Sequence, residues 1–182
     1  MPVIDTGGLV RPFFIAEQFT ATKWNTDADK ADFANKLCRF IAADFPEHLF
    51  TKTLYKRLSL SFGMIAHFCC SGFFGHFFRD LQGKTAFLEE ALAWRPCGQP
   101  DFTFCDVERA VQARLRSCNL LGAYCALRAA EVEGAERALL ALLRHRYEGA
   151  NPPAPVSVPI LHPGSAPRLI RKVAANDQSS LF

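Results

Sequence analysis

Two residue types that bind metals or activate nucleophiles crowd one stretch of this chain: His67, Cys69, Cys70 and His76. Cysteine and histidine together can hold zinc, or a histidine can take the proton of a thiol and make it a nucleophile. On a helix, His67 and Cys70 stand three residues apart and share a face. Zinc sites use separated ligand pairs, a spacing that His67-x-Cys69-Cys70 lacks, and no third residue orients a His–Cys pair. Packed among Phe68, Phe73 and Phe74, the same residues read as core. The pattern outlines one alternative, a small enzyme or metal-binding protein built around His67, Cys70 and His76.

Two further groups have chemical potential. Gly83-Lys84-Thr85 has the closing residues of a phosphate-binding loop, but Phe78 stands where that loop needs its first glycine. It reads instead as a turn at Gln82-Gly83 and the start of a helix at Lys84. Asp27, Asp29 and Asp32 can ligate a divalent ion, yet the glycine and terminal glutamate of a calcium loop are absent, and helix capping accounts for them. Asp101, Asp106 and Glu108 are equally open between surface and site. The reading assigns no catalytic residue, metal or cofactor, and favours a non-enzymatic protein.

Composition sets the frame for these residues. The chain has 182 residues, 49% of them hydrophobic, 21% charged, with a net charge of +3. That is one domain and an appendage, able to bury a core. Seventeen Phe against two Trp and three Tyr predict an aromatic interior. Residues 1–148 hold 18 basic and 17 acidic side chains, without the excess of a dedicated nucleic-acid binder. Seven cysteines, with no C-x-x-C pair and no secretory signal, fit thiols in a reducing cytoplasm.

Apolar spacing predicts an all-α fold, a compact Phe-rich bundle of about six helices. Residues 1–22 form an irregular lead-in that lays Phe13, Phe14, Ile15 and Phe19 across the core. Residues 23–148 form the helical domain. Its first helix starts at Thr26 or Asp27, buries Phe33, Leu37, Phe40, Ile41 and Phe45, and is closed by Pro46. A second begins at Pro46–Glu47 and buries Leu49, Phe50, Leu54 and Leu58. Leu58 to Phe78 then runs 21 residues without a charged side chain. That is long enough to span a bilayer and gives a second alternative, a membrane-associated protein. Its three glycines, His67 and His76 favour a buried hairpin broken near Ser71-Gly72. Helices at Lys84–Trp94 and from Thr103 or Cys105 follow. Gly122 is read as a left-handed C-cap. The last helix, about Ala123 to Tyr147, has its apolar side marked by Leu127, Leu139, Leu142 and Leu143.

After Gly149 the character changes. Six prolines fall between 152 and 167, and residues 149–182 read as a disordered, Pro-rich tether. It closes on Gln178-Ser179-Ser180-Leu181-Phe182. Leu181 and Phe182 suit an apolar cleft, and the Gln178 amide can fix register at its rim.

This pentapeptide resembles the motif, typically Gln-Leu-Ser/Asp-Leu-Phe, by which bacterial replication and repair proteins grip the DNA sliding clamp. Gln178, Ser180, Leu181 and Phe182 match it, and Ser179 replaces the usual leucine. The resemblance implies a polar pocket for Gln178 and a hydrophobic one for Leu181 and Phe182. It implies a cytoplasmic, clamp-docked accessory protein of DNA replication, repair or mobile-element maintenance. Arg168, Arg171 and Lys172 lie upstream, where they can brush DNA as a small, salt-sensitive contribution. The match covers five residues and implies nothing about the body.

Overall fold

The structure, a computed structural model, describes residues 6–64 and 69–148. Among the described residues the fold is all-α, with seven helices and no strand. The chain divides into two compact units, Met1–Leu139 and Leu140–Phe182. The described part of the second unit is the end of the last helix.

The lead-in is more regular than its composition suggests. Gly7–Val10 forms one helical turn, α1, whose Leu9 is fully buried, and Ala16–Gln18 forms a 3₁₀ turn. Phe14 and Phe19 are buried, whereas Phe13 and Ile15 face solvent. Asn35 fastens this segment by accepting from the Phe14 N–H and donating to the Phe14 carbonyl, both at 2.9 Å. The Arg114 guanidinium lies 3.6 Å from the Phe14 ring centre, a cation held against an aromatic face.

Helix α2, Asp27–Ala42, begins where sequence places it. Thr26 Oγ1 accepts from the Asp29 N–H and Asp29 Oδ2 accepts from the Thr26 N–H, each at 3.1 Å. This reciprocal cap satisfies donors that a helix start leaves orphaned, contributing about 1 kcal/mol. Phe33, Leu37, Phe40 and Ile41 form its buried stripe. The helix is closed by Asp44 and Phe45, both left-handed with φ 65° and 57°, and the Phe45 N–H donates back to the Phe40 carbonyl. Pro46 follows that closure and does not cause it.

Between α2 and the next helix the expected continuous element is two pieces. Glu47–Leu49 is a 3₁₀ turn, and Thr51 caps α3, Lys52–Leu58, by accepting from the Leu54 N–H at 3.2 Å. The uncharged stretch also breaks earlier than Ser71-Gly72. Leu58 ends α3, Phe62 and Gly63 turn left-handed, and Ser71 and Gly72 lie inside α4, Cys70–Phe77. Among the described residues no helix is long and apolar enough to cross a membrane.

Helix α5, Leu81–Ala93, starts before Lys84 because Asp80 caps it, accepting from the Gly83 N–H at 2.7 Å. Gln82 and Gly83 are therefore helical. A Cβ at position 83 would sit 2.7 Å and 2.8 Å from the carbonyl oxygens of His76 and Phe77. Glycine is what lets α5 approach the end of α4 so closely. Helix α6, Cys105–Ser117, buries Val107, Val111 and Leu115. Asn119, with φ 46°, makes the left-handed break expected of Gly122, and α7, Leu120–Glu148, starts at once.

Helix α2 lies at the centre, packed against α1, the first 3₁₀ turn, α3 and α6, while α5 packs on α4 and α6. The interior is a network of phenylalanines. Phe78 stacks on Phe45 at 5.0 Å and meets Phe40 and Phe87 edge-on at 5.0 Å and 4.9 Å. Phe50 joins Phe40, Phe73 and Phe78 to the same cluster.

Candidate functional site

Cys69 is the N-cap of α4 and is exposed. Cys70 is half-buried against the core, and His76 is exposed with its ring 4.6 Å from Phe77. Six residues on one helix separate Cys70 from His76 by about 9 Å along the axis and about 120° around it. The two side chains therefore diverge, and His67 lies outside the described residues. Among the described residues no three His, Cys, Asp or Glu side chains gather to hold a metal.

One thiol still has chemical character. The Ser71 hydroxyl, 3.3 Å from Cys69 Sγ, and then the Gly72 N–H favour the Cys69 thiolate and hold its pKa below the usual thiol value. Cys38 is the opposite, since burial pushes its pKa up to about 12. We expect iodoacetamide, followed by peptide mass spectrometry, to modify Cys69 ahead of the other exposed thiols and to leave folded Cys38 untouched. Cys69 labelling should reach its plateau at lower pH than a free thiol does. Equal rates at Cys38 and Cys69 would contradict this assignment.

The remaining charged candidates hold the fold. Asp29 serves the α2 cap and pairs with Arg57 at 3.1 Å. The Thr26 N–H, the Thr26 hydroxyl and then Arg57 lower its pKa. Asp32 pairs with Lys36 at 2.8 Å. Lys84, the lysine of the phosphate-loop pattern, pairs with Asp44 at 2.9 Å, and the Thr85 hydroxyl donates to the Leu81 carbonyl. Asp44 also accepts from the Tyr124 hydroxyl at 2.7 Å. Burial, then this contact, raises the Tyr124 pKa. Lys84 and Tyr124 thus converge on the residue that reverses the chain after α2.

Two buried ionic groups were not visible as such in the sequence. Lys30 is fully buried and donates to the Pro100 and Thr103 carbonyls and to Asp106, at 2.6 Å, 2.9 Å and 3.0 Å. It folds the 95–104 loop against α2. Glu108 is buried and accepts from the Phe62 N–H at 2.6 Å and from the Trp94 indole N–H at 3.1 Å. It fixes the left-handed turn that precedes the undescribed residues 65–68. A lysine or glutamate within an amphipathic helix gives no sequence sign that its face is inward.

The last helix departs furthest from expectation. Leu120 and Tyr124 are buried and Leu127 is half-buried, but Leu139, Leu142 and Leu143 are exposed. Apolar spacing marks a face suited to burial and does not say whether anything covers it. The tail residues read as a docking peptide, Gln178, Leu181 and Phe182, and the basic Arg168, Arg171 and Lys172 lie outside the described residues.

Comparison with family models, with curated proteins and with solved structures finds no match.

Proposed function

We propose that this chain is an accessory protein of bacterial DNA replication, repair or mobile-element maintenance, docked on the sliding clamp through residues 178–182. The observation that carries the reading is the pattern Gln178-Ser179-Ser180-Leu181-Phe182 after a Pro-rich stretch. Leu181 and Phe182 supply the burial, about 1.5–3 kcal/mol each, and Gln178 supplies register. Ser179 offers no apolar anchor, so micromolar affinity is the expectation for a peptide that orders on binding. The body is compatible with a carrier role, since its described ionic clusters close turns and pin loops.

The test is capture of purified bacterial clamp by the full chain and by a chain lacking residues 178–182. Capture should be lost with the deletion. Leu181→Ala with Phe182→Ala should weaken it at least about a hundred-fold, on the burial of two apolar anchors. Equal capture by full-length and shortened chains would reject the reading.

A further inference from the structure

A cleft of about 330 Å³ opens between α2 and the segment that enters α3. The last turn of α3 meets the first turn of α2 through Arg57 and Asp29, and its first turn shares the cleft with Lys36 and Arg39, so the two helices run antiparallel. Leu49, half-buried, and Leu54, buried, are the apolar lining. The polar side chains of the lining residues can all donate: the Lys36 ammonium, the Arg39 guanidinium, the His48 ring and the hydroxyls of Thr51 and Thr53. Among the described residues no carboxylate or side-chain amide lines the cleft. Asp32 pairs with Lys36 at 2.8 Å and leaves two of its three N–H donors unused. Glu47 precedes His48, is exposed and lies outside the lining. Among the described residues Arg39 and His48 have no ion pair and no side-chain hydrogen bond.

We propose that this cleft is an anion site for the phosphate monoester of a nucleotide. Two fixed cations, Lys36 and Arg39, match the charge of about −1.5 to −2 on such a group, whereas a carboxylate would leave one of them without a counter-ion. The planar guanidinium of Arg39 takes two phosphate oxygens at once, and the third oxygen is open to the hydroxyls and the His48 ring. Leu49 and Leu54 offer the sugar and base an apolar surface that inorganic phosphate cannot use. Apolar walls with a few convergent polar groups are the ordinary form of a small-ligand site. A free nucleoside monophosphate and the 5′-phosphate end of a DNA strand present this same chemistry. The inference stands apart from clamp docking, and a chain lacking residues 178–182 should bind the same probes.

Titration calorimetry of the full chain with deoxyadenosine 5′-monophosphate is the direct test, with a dissociation constant between about 10 µM and 1 mM expected for a water-facing site. Deoxyadenosine, without the phosphate, should not bind, and inorganic phosphate, without the body, should bind more weakly. Arg39→Gln should raise the constant at least about tenfold, on loss of a charge-assisted pair. Lys52→Gln, at a cation between Thr51 and Thr53 in sequence but outside the lining, should change it little. Both positions are exposed, so circular dichroism of each variant should match the parent. A 5′-phosphorylated oligodeoxynucleotide, compared with the same strand bearing a 5′-hydroxyl, identifies the source. Tighter binding that depends on the 5′-phosphate assigns the cleft to strand ends, and otherwise its ligand is the free nucleotide. Absence of binding by both phosphorylated probes at about 5 mM, deoxyadenosine or inorganic phosphate binding as tightly as the monophosphate, or a Lys52→Gln loss equal to that of Arg39→Gln would each overturn the proposal.

Discussion

Phe78→Ala is expected to lower the unfolding free energy by about 3–5 kcal/mol, the range for removing a buried aromatic ring from a core. Phe78 is 2% exposed and caps α4, where the reversal after α2, the end of α4 and the face of α5 converge. Its ring stacks on Phe45 and meets Phe40, Phe50 and Phe87, so truncation removes several aromatic contacts and opens a cavity between helices. The loss is a large fraction of the stability of an ordinary domain. Guanidinium unfolding followed by circular dichroism measures it. Phe13→Ala, at a ring 59% exposed, is the control and should stay within about 0.5 kcal/mol of the parent. A Phe78 loss no larger than the Phe13 loss would mean that the cluster does not hold the fold.

Lys30→Met should cost about 3–5 kcal/mol, because it breaks a buried ion pair from one side. The side chain is fully buried and Asp106 is 13% exposed. Methionine fills the space and leaves the Pro100 and Thr103 carbonyls without the ammonium donor and the Asp106 carboxylate without its counter-ion. Thr20 still donates to Asp106, at 3.0 Å, and cannot replace the charge. Asp106→Asn in the same chain removes the stranded charge, so the double variant should lose less than the sum of the single losses. Lys36→Met, at a surface pair with Asp32, should change little. Amide exchange adds a local signature, since residues 95–104 should lose protection first in the Lys30 variant. A double variant as costly as the sum would remove the pairing argument.

Much of the architecture was legible where a local rule and a long-range demand agree. The stripe from Phe33 to Ile41 and the Thr26 cap say helix on both counts, and both hold, whereas Phe45, read as the end of the same stripe, lies past the left-handed closure of α2. The sequence was less legible where backbone conformation is set by a contact made elsewhere. Asp44 takes a left-handed conformation with Lys84 and Tyr124 as partners, residues 40 and 80 positions away. Gln82-Gly83 has the composition of a turn, yet the Asp80 cap makes it helical. The leucines of α7 mark an apolar face by their spacing, and spacing alone does not tell that Leu139 and Leu142 are exposed. At the chemical candidates, sequence supplied residue types that structure then separated: Cys70 and His76 share a helix but diverge on it.

The glycine at the α4–α5 junction leaves heredity no latitude. Its hydrogen faces two peptide oxygens, which have no rotamer with which to step aside. Even a methyl group there would wedge the junction open, beside the phenylalanines at its end. Random mutagenesis scored for folded protein should therefore return this codon unaltered while neighbouring Gln82 drifts freely.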